Sequence, residues 1–521
     1  MRSKLFARAS VAGASIVGAG VAVAVVNQLT DLQRLGAVDD PAFTHSDQLT
    51  IRSSDFDEVF EAGDAFFDTE FNAQDGGGAN VGRGQRYTRV PRADLRGPGE
   101  WFNHQPPRET GPNAAACTDC HRGPGDGAGA AGSNVHRDPR RNGSVGQFIQ
   151  RNTPHLFGGG ALQVLAEEMS ETLQDQRDDA RQQACSRGSS TQSLSAKGIS
   201  FGSISATRTS QFPCRVSFNT GNVSGVAADL VVRPFQWKGS VATVRDFVRG
   251  ASHNELGVTA NELLANPNVD SDGDGVVNEA TVGDMTALAV YIAAQPRPTT
   301  RTELNNLGLL DTPLTQGEIA AIVRGFAVFN SAASRCATCH VPQLTANDPR
   351  FFEPSRNPDY RDLTFPGGSN PVAEGLDPQF ANSFDLTKDL PDNPTPIPNG
   401  TTLGNFRRNN AGGAVVQLFG DLKRHNMGAG LAEPVDEVGT GAATFLTENL
   451  WGVGSTAPYM HDGRATTLAE AILEHGGEAQ SSASFFRAAL DANRASPSDT
   501  RAPDLIAALE NLVLFFDEGA E

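Results

Sequence analysis

Two cysteines and a histidine in the second half of the chain are spaced for covalent haem attachment. Cys336, Cys339 and His340 form the pattern C-x-x-C-H. On a tight helical turn, two thiols three residues apart reach the two vinyl groups of one porphyrin, and the adjacent histidine lies beneath the iron as a ligand. A second copy of the pattern consists of Cys117, Cys120 and His121. The sequence therefore predicts two covalently bound haem c groups.

Acidic residues alternate along a short stretch between the two motifs, within residues 270–284. Hard oxygen ligands at alternate positions, followed by a glycine, resemble the first half of an EF-hand loop and suit Ca²⁺. The twelfth position is Thr281 instead of a glutamate, so the loop is not a complete EF-hand, and Glu279 or Asp284 is left to close the shell. We expect a structural calcium ion. Its candidate ligands are Asp270, Asp272, Asp274, Asn278 and Glu279.

The elements that must position these groups are predicted to be mainly α, with long irregular loops, because the 521 residues include 55 glycines and 30 prolines. We expect two cytochrome c-like haem domains, over residues 50–296 and 310–521. A weak internal repeat favours this division. The pattern G-x-x-x-F occurs at Gly63–Phe67 and again at Gly325–Phe329, in each case N-terminal to a haem motif but at very different distances from it.

Charge and cysteine usage indicate the compartment and exclude some partners. The net charge of −19 disfavours nucleic acid and anionic membrane surfaces. Basic residues followed by an apolar run predict a signal peptide or an uncleaved anchor over residues 1–26. Covalent haem attachment is completed outside the cytoplasm, so we expect a periplasmic or secreted protein. In that oxidising compartment the two remaining cysteines, Cys185 and Cys214, are predicted to form a disulfide. It would hold a small β-hairpin insertion over residues 185–235.

Several stretches resemble one family of proteins. Residues 450–479 (L-W-G-V-G-S-T-A-P-Y-M-H-D-G-R…), 151–158, 234–257 and 421–428 occur in the order found in bacterial di-haem cytochrome c peroxidases and their relatives. The likeness is greatest to the di-haem oxidoreductase group often labelled thiol oxidoreductases, and extends to the di-haem rubber oxygenases. The resemblance implies a di-haem redox enzyme of the peroxidase superfamily.

The resemblance also assigns the sixth ligand of the second iron. The peroxidases place a methionine fourteen residues after the histidine of the H-D-G motif, and counting from His461 leads here to His475. The second haem is therefore expected to have two histidine ligands, His340 and His475, and to relay electrons. Met427 and Met460 are the alternative ligands.

The first haem is then the candidate reaction centre. The family places a tryptophan between the two haems, which corresponds to Trp237. It places an acid/base glutamate further along, which corresponds to Glu255, eighteen residues later. A carboxylate above an open iron can move a proton between the oxygens of a peroxide. His253 is an alternative acid/base or ligand, and His136 and His155 are candidate sixth ligands.

The preferred function is an exported peroxidase-like oxidoreductase that activates H₂O₂ at the first haem, with electrons supplied through the second from a small redox protein. One alternative is an O₂-dependent oxygenase that cleaves an apolar substrate. The other is a non-catalytic di-haem electron carrier. The motifs of serine hydrolases, P-loop proteins and zinc proteases are absent from the sequence.

Overall fold

The computed structural model describes residues 42–77, 87–88, 90, 103–110, 112–121, 134–388 and 403–514. Of these residues, 35% are helical and 16% lie in strands, which form several small sheets. The expectation of a mainly α protein was therefore wrong. Most of the strands are only two to four residues long and pair with distant segments, and strands this short leave little alternating pattern in a sequence.

The described residues contain ten α-helices, most of which begin at a side-chain cap. The helices are α1 (Gln48–Ser53), α2 (Phe56–Asp68), α3 (Gly159–Arg187), α4 (Val244–Ala251), α5 (Val282–Ala293), α6 (Arg301–Leu307), α7 (Gln316–Phe329), α8 (Leu468–Glu474), α9 (Gln480–Ala495) and α10 (Arg501–Glu510). Thr281, Thr315 and Thr467 form capping boxes at the starts of α5, α7 and α8.

The strands form six separate antiparallel sheets within the described residues. The strands are β1 (Asn134–Arg137), β2 (Ile149–Asn152), β3 (Ser189–Ala196), β4 (Ile199–Gln211), β5 (Cys214–Asn219), β6 (Thr299–Thr300), β7 (Leu344–Ala346), β8 (Arg350–Glu353), β9 (Asn382–Asp385), β10 (Arg407–Arg408), β11 (Ala414–Val416), β12 (Arg424–Asn426), β13 (Thr444–Leu446) and β14 (Leu512–Val513). The pairings are β1–β2, β3–β4–β5, β6–β14, β8–β9, β10–β11–β7 and β12–β13.

One helix crossing occurs twice, once ahead of each C-x-x-C-H motif. Gly63 lets α2 approach α5 so closely that a methyl group there would collide with the carbonyl of Ala287. Gly325 does the same for α7 and α10, against the backbone of Asp504. The phenylalanine four residues later is buried in both cases. The sequence repeat thus corresponds to a repeated piece of packing.

The insertion is larger than the predicted hairpin. Strands β3, β4 and β5 form a three-stranded sheet that packs against the long helix α3. The predicted disulfide is confirmed: it joins Cys185, near the end of α3, to Cys214 at the start of β5. It therefore fixes the outer strand to the helix.

The predicted signal or anchor at residues 1–26 lies outside the described residues. Within the described residues, no helix combines the length and the apolar character needed to span a bilayer.

Candidate di-haem site

The first C-x-x-C-H motif forms a tight turn. Residues Cys117–Asp119 make one turn of 3₁₀ helix, and the backbone N–H of His121 donates to the carbonyl of Cys117 at 3.0 Å. The Asp119 carboxylate accepts from the backbone N–H of Ala115 at 2.8 Å, which secures the start of the turn. Cys117, Cys120 and His121 all line a cavity of about 150 Å³, called cavity 1 here.

The second motif repeats this geometry. Cys336–Thr338 is again a 3₁₀ turn, and the N–H of His340 donates to the carbonyl of Cys336 at 3.0 Å. Cys336, Cys339 and His340 line a cavity of about 210 Å³, called cavity 2. His475, at the end of α8, lines the same cavity. Both motifs therefore present two thiols and an imidazole to a cavity, as haem attachment requires.

The two histidines of cavity 2 are spaced for a metal ion between them. The ring centroids of His340 and His475 lie 6.3 Å apart. A metal ion about 2.0 Å from each facing nitrogen places the centroids roughly 6–6.5 Å apart, since a ring nitrogen lies about 1.2 Å from its centroid. The residues of cavity 2 therefore fit a haem iron with two imidazole ligands.

The protonation of these histidines suits metal binding. Burial lowers the pKa of His121 and of His340 to about 4, and it also lowers that of His475. Nδ1 of His340 lies 3.2 Å from the carbonyl of Phe419, and Nδ1 of His475 lies 2.7 Å from that of Ala471. A carbonyl partner places the proton on Nδ1, so the lone pair of Nε2 is left for a metal.

Trp237 lies between the two cavities, where the family resemblance places a tryptophan. Its indole is part of the wall of both cavity 1 and cavity 2. The indole N–H donates to the carbonyl of Asn152 at 2.9 Å, which fixes the ring. Residues 152–154, at the end of β2, also line both cavities. An aromatic ring and a short backbone segment therefore separate the two candidate haem sites.

Glu255 lines cavity 1 together with the first motif. It lies in a π-helical turn, Ser252–Leu256, a rare conformation that is frequent at functional sites. Asn113 donates a side-chain hydrogen bond to the Glu255 carboxylate. The backbone N–H of Asn113 also donates to the backbone carbonyl of Glu255, at 2.7 Å. Burial raises the pKa of Glu255, while the nearby Arg137 and the hydrogen bond from Asn113 oppose this shift.

The structure does not bring the other histidine candidates into cavity 1. The ring of His253 is buried between the hydroxyl of Thr259 and the carbonyl of Pro107, at 3.3 Å from each. His136 lies on β1, where Val135 and Arg137 line cavity 1, and strand alternation directs the intervening side chain to the opposite face. His155 lines cavity 2 instead of cavity 1. Among the described residues, His121 is the sole histidine in the wall of cavity 1.

Sequence reasoning missed the charged groups that surround Glu255 and Trp237. Arg137 lines cavity 1 and forms ion pairs with Glu109 at 3.0 Å and Glu437 at 3.1 Å. In the wall of cavity 2, His461 stacks on Phe445, and the Lys238 ammonium lies 4.2 Å from the centroid of the same ring. The sequence does not show these contacts, because the partners lie far apart in the chain.

The predicted calcium ligands are brought together only in part. Ligand oxygens of Asp270, Asp272 and Asp274 all lie within 4.8 Å of one another. Burial raises the pKa of Glu279 well above the ordinary value, and the nearby charges of Asp272 and Asp274 raise it further. Asn278 instead bonds with two other asparagine side chains, those of Asn261 and Asn268.

Asp284, the alternative residue for closing the calcium shell, is used elsewhere in the structure. Its carboxylate accepts the backbone N–H groups of Ser46 and Thr281, at 2.7 and 2.8 Å, and contacts the His45 ring. It therefore caps α5 and holds the segment that precedes α1.

A match to one family model supports the resemblance over part of the chain. Residues 398–498 match the sequence model of a family described as "Di-haem oxidoreductase, putative peroxidase". No curated protein shows a significant match. Among solved structures, one similar chain is a MauG-like protein associated with microbial copper homeostasis. It is 16% identical, with 57% of this chain and 76% of that chain covered and a TM-score of 0.26.

The matched residues include His475 and the H-D-G motif at His461, whereas both C-x-x-C-H motifs precede them. The recognised resemblance is confirmed over this segment. Over residues 398–498 the chain is similar to the di-haem oxidoreductases, and this match supports a di-haem redox enzyme as the general function of the protein.

Proposed function

We propose that this protein is an exported oxidoreductase that carries two covalently attached haem c groups and turns over hydrogen peroxide at the first of them. The second group would serve as the relay for electrons from a small redox protein. Cys117, Cys120 and His121 would hold the first group in cavity 1. The residues that would hold the second group in cavity 2 are Cys336, Cys339, His340 and His475.

The main support for this proposal is that the two cavities differ in the candidate iron ligands that line them. Cavity 2 presents two facing histidines, His340 and His475, and two such ligands close an iron to small molecules. Cavity 1 presents His121 and an ionisable carboxyl group, Glu255, among its described lining residues. A haem iron with an open sixth position supplies redox chemistry on a small oxidant.

The residues of cavity 1 are suited to proton transfer. Glu255 would take the proton of the bound oxidant and return it to the departing oxygen, as a general base and then a general acid. Burial raises the pKa of the Glu255 carboxyl group, which is the direction that suits a group that both accepts and donates a proton. Asn113 holds the carboxylate in place, and Arg137 favours its ionised form.

Trp237 would carry charge between the two sites. Its ring contributes to the walls of both cavities, and its hydrogen bond to Asn152 keeps it in that orientation. An electron that enters at cavity 2 therefore has an aromatic group in its route to cavity 1.

The test uses the purified holoprotein with a reduced donor. We expect two haems per chain in a pyridine haemochrome assay, a high-spin ferric population from the first haem, and donor oxidation that depends on H₂O₂. O₂ consumption with cleavage of an apolar substrate, without peroxide turnover, would favour an oxygenase. Two low-spin irons without turnover would favour an electron carrier. Either result would refute the proposed activity.

The proposal includes a structural calcium ion. Asp272, Asp274 and Glu279 are all buried, with at most 4% of each residue exposed. Grouped carboxylates in such surroundings repel one another, and a divalent cation relieves that repulsion. Arg108 and His104 lie beside the cluster and offset part of its charge. The ion would fix the segment between Glu255 and α5.

A further inference from the structure

A third cavity lies beside Trp237. Its volume is about 60 Å³, and the walls include Trp237 and Pro154, which also line both haem cavities. Glu448 and His155 line this cavity, called cavity 3, and they also line cavity 2. Cavity 3 therefore adjoins the route between the two candidate haem sites.

Glu448 has no polar partner among the described residues: it forms no hydrogen bond and no ion pair with any of them. Burial alone raises its pKa to about 7. Two buried acids of this protein, Glu262 and Glu353, are instead compensated by ion pairs with Arg245. An uncompensated carboxyl group in an apolar wall is costly when ionised, so its presence calls for a reason.

Two neighbouring residues of cavity 3 carry buried acceptors. Nε2 of His155 donates to the carbonyl of Trp451 at 3.1 Å, because a carbonyl can only accept. Nδ1 of His155 is then an acceptor, and like Oδ1 of Asn449 it is buried without a partner among the described residues. Acceptors of this kind are satisfied by water. Cavity 3 has room for several water molecules, since one needs only about 10–15 Å³.

The charged groups around Glu448 leave it electrostatically isolated. In cavity 3, His155 is the other titratable side chain among the described lining residues, and burial lowers its pKa to about 4, so it is neutral. On α4, Arg245 is paired with Glu262, and Asp246 with Arg249. The charged or titratable groups of cavity 2 include Arg335, His340, His425, His461, His475 and Glu478. None of them contributes to the shift of the Glu448 pKa.

We infer that Glu448 and the water of cavity 3 form a proton-exchange site coupled to the redox state of the second haem. This inference rests on the proposed function. When one electron from a one-electron donor enters at cavity 2, the Glu448 carboxylate takes up one proton from the bulk solvent, passed on by the water of cavity 3, and becomes a carboxylic acid. When the electron leaves towards cavity 1, the proton returns to the bulk solvent by the same route. The charge of the buried region therefore stays constant, which removes the cost of adding an uncompensated electron to a site of low dielectric.

The test is a redox titration of the second haem at several pH values, followed through its low-spin absorption band. The wild-type midpoint potential should fall as the pH rises above about 7, at a slope approaching 59 mV for each tenfold change in proton concentration with one electron. Glu448→Gln should lose this slope. The matched control is Glu478→Gln, which alters an acid of cavity 2 whose pKa is lowered and which should keep the slope.

An infrared difference spectrum between the oxidised and reduced protein gives a second readout. Reduction should produce a protonated-carboxyl band that shifts in D₂O and is missing from Glu448→Gln; the wild-type band can be read even if the variant does not fold. Two haems per chain with an equal slope in wild type and Glu448→Gln, or no such band, would overturn this inference alone. Fewer than two haems would overturn the proposed function and this inference with it.

Discussion

Replacing Glu255 by glutamine tests the proposed chemistry most directly. The exchange keeps the size of the side chain and an oxygen that can accept the hydrogen bond from Asn113, but it removes the titrating proton. Arg137 keeps its two other partners, Glu109 and Glu437, so the surrounding charges change little. The loss of activity should therefore report proton transfer, and not a collapsed site.

The expected loss follows from the contribution of a positioned acid or base. General acid–base catalysis contributes about 10²–10⁴-fold, or roughly 2.7–5.5 kcal/mol of activation free energy. We expect kcat for H₂O₂-dependent donor oxidation to fall within this range in Glu255→Gln. Folding should not suffer, because burial already disfavours the ionised carboxylate, and the amide carries no charge. Thermal unfolding and haem content should match those of the wild type.

The dependence of peroxide turnover on pH provides an independent test. If ionised Glu255 accepts the proton of the oxidant, wild-type activity falls as the pH drops through the pKa of Glu255, which burial places above the ordinary glutamate value. Glu255→Gln should lack this acidic limb. The control is Glu109→Gln, which also removes a carboxylate beside Arg137 but lies outside the lining of cavity 1. Unaltered peroxide turnover in Glu255→Gln, or an equal loss in Glu109→Gln, would refute the reasoning.

Three further outcomes are expected. His475→Met should raise the reduction potential of the second haem, because a thioether favours ferrous iron more than imidazole does; a potentiometric titration with an unchanged potential would argue against His475 as a ligand. Gly325→Ala should lower the free energy of unfolding by about 1–3 kcal/mol, because the added methyl group meets the backbone of α10. The control is Gly317→Ala on the same helix, where a methyl group has room; this exchange should be neutral or stabilising by less than about 1 kcal/mol. A calcium chelator should lower the melting temperature of the wild type, and Asp272→Asn should abolish that effect; equal melting curves with and without chelator would exclude the ion.

The local chemistry of this protein could be predicted from the sequence. The C-x-x-C-H turns depend only on adjacent residues, and the structure forms the same 3₁₀ turn at Cys117 and at Cys336. The disulfide followed from counting the two cysteines that remain, Cys185 and Cys214. The predicted fold class was wrong because the strands are short and pair with other segments of the chain, as β12 pairs with β13. The residues of such strands therefore show little periodicity of their own.

The tertiary structure alone decided how these pieces act together. The sequence supplied histidines at positions 136, 253 and 475, yet only His475 faces a haem-motif histidine, because the direction of a side chain depends on the packing of its element. Trp237 lies in the walls of two cavities, one of which combines residues 152–155 and 237 with residues from the second half of the chain. Glu448 is isolated in the sense that burial alone, and no neighbouring charge, shifts its pKa. Motifs are fixed by covalent spacing, whereas burial and charge neighbourhood are properties of the folded chain.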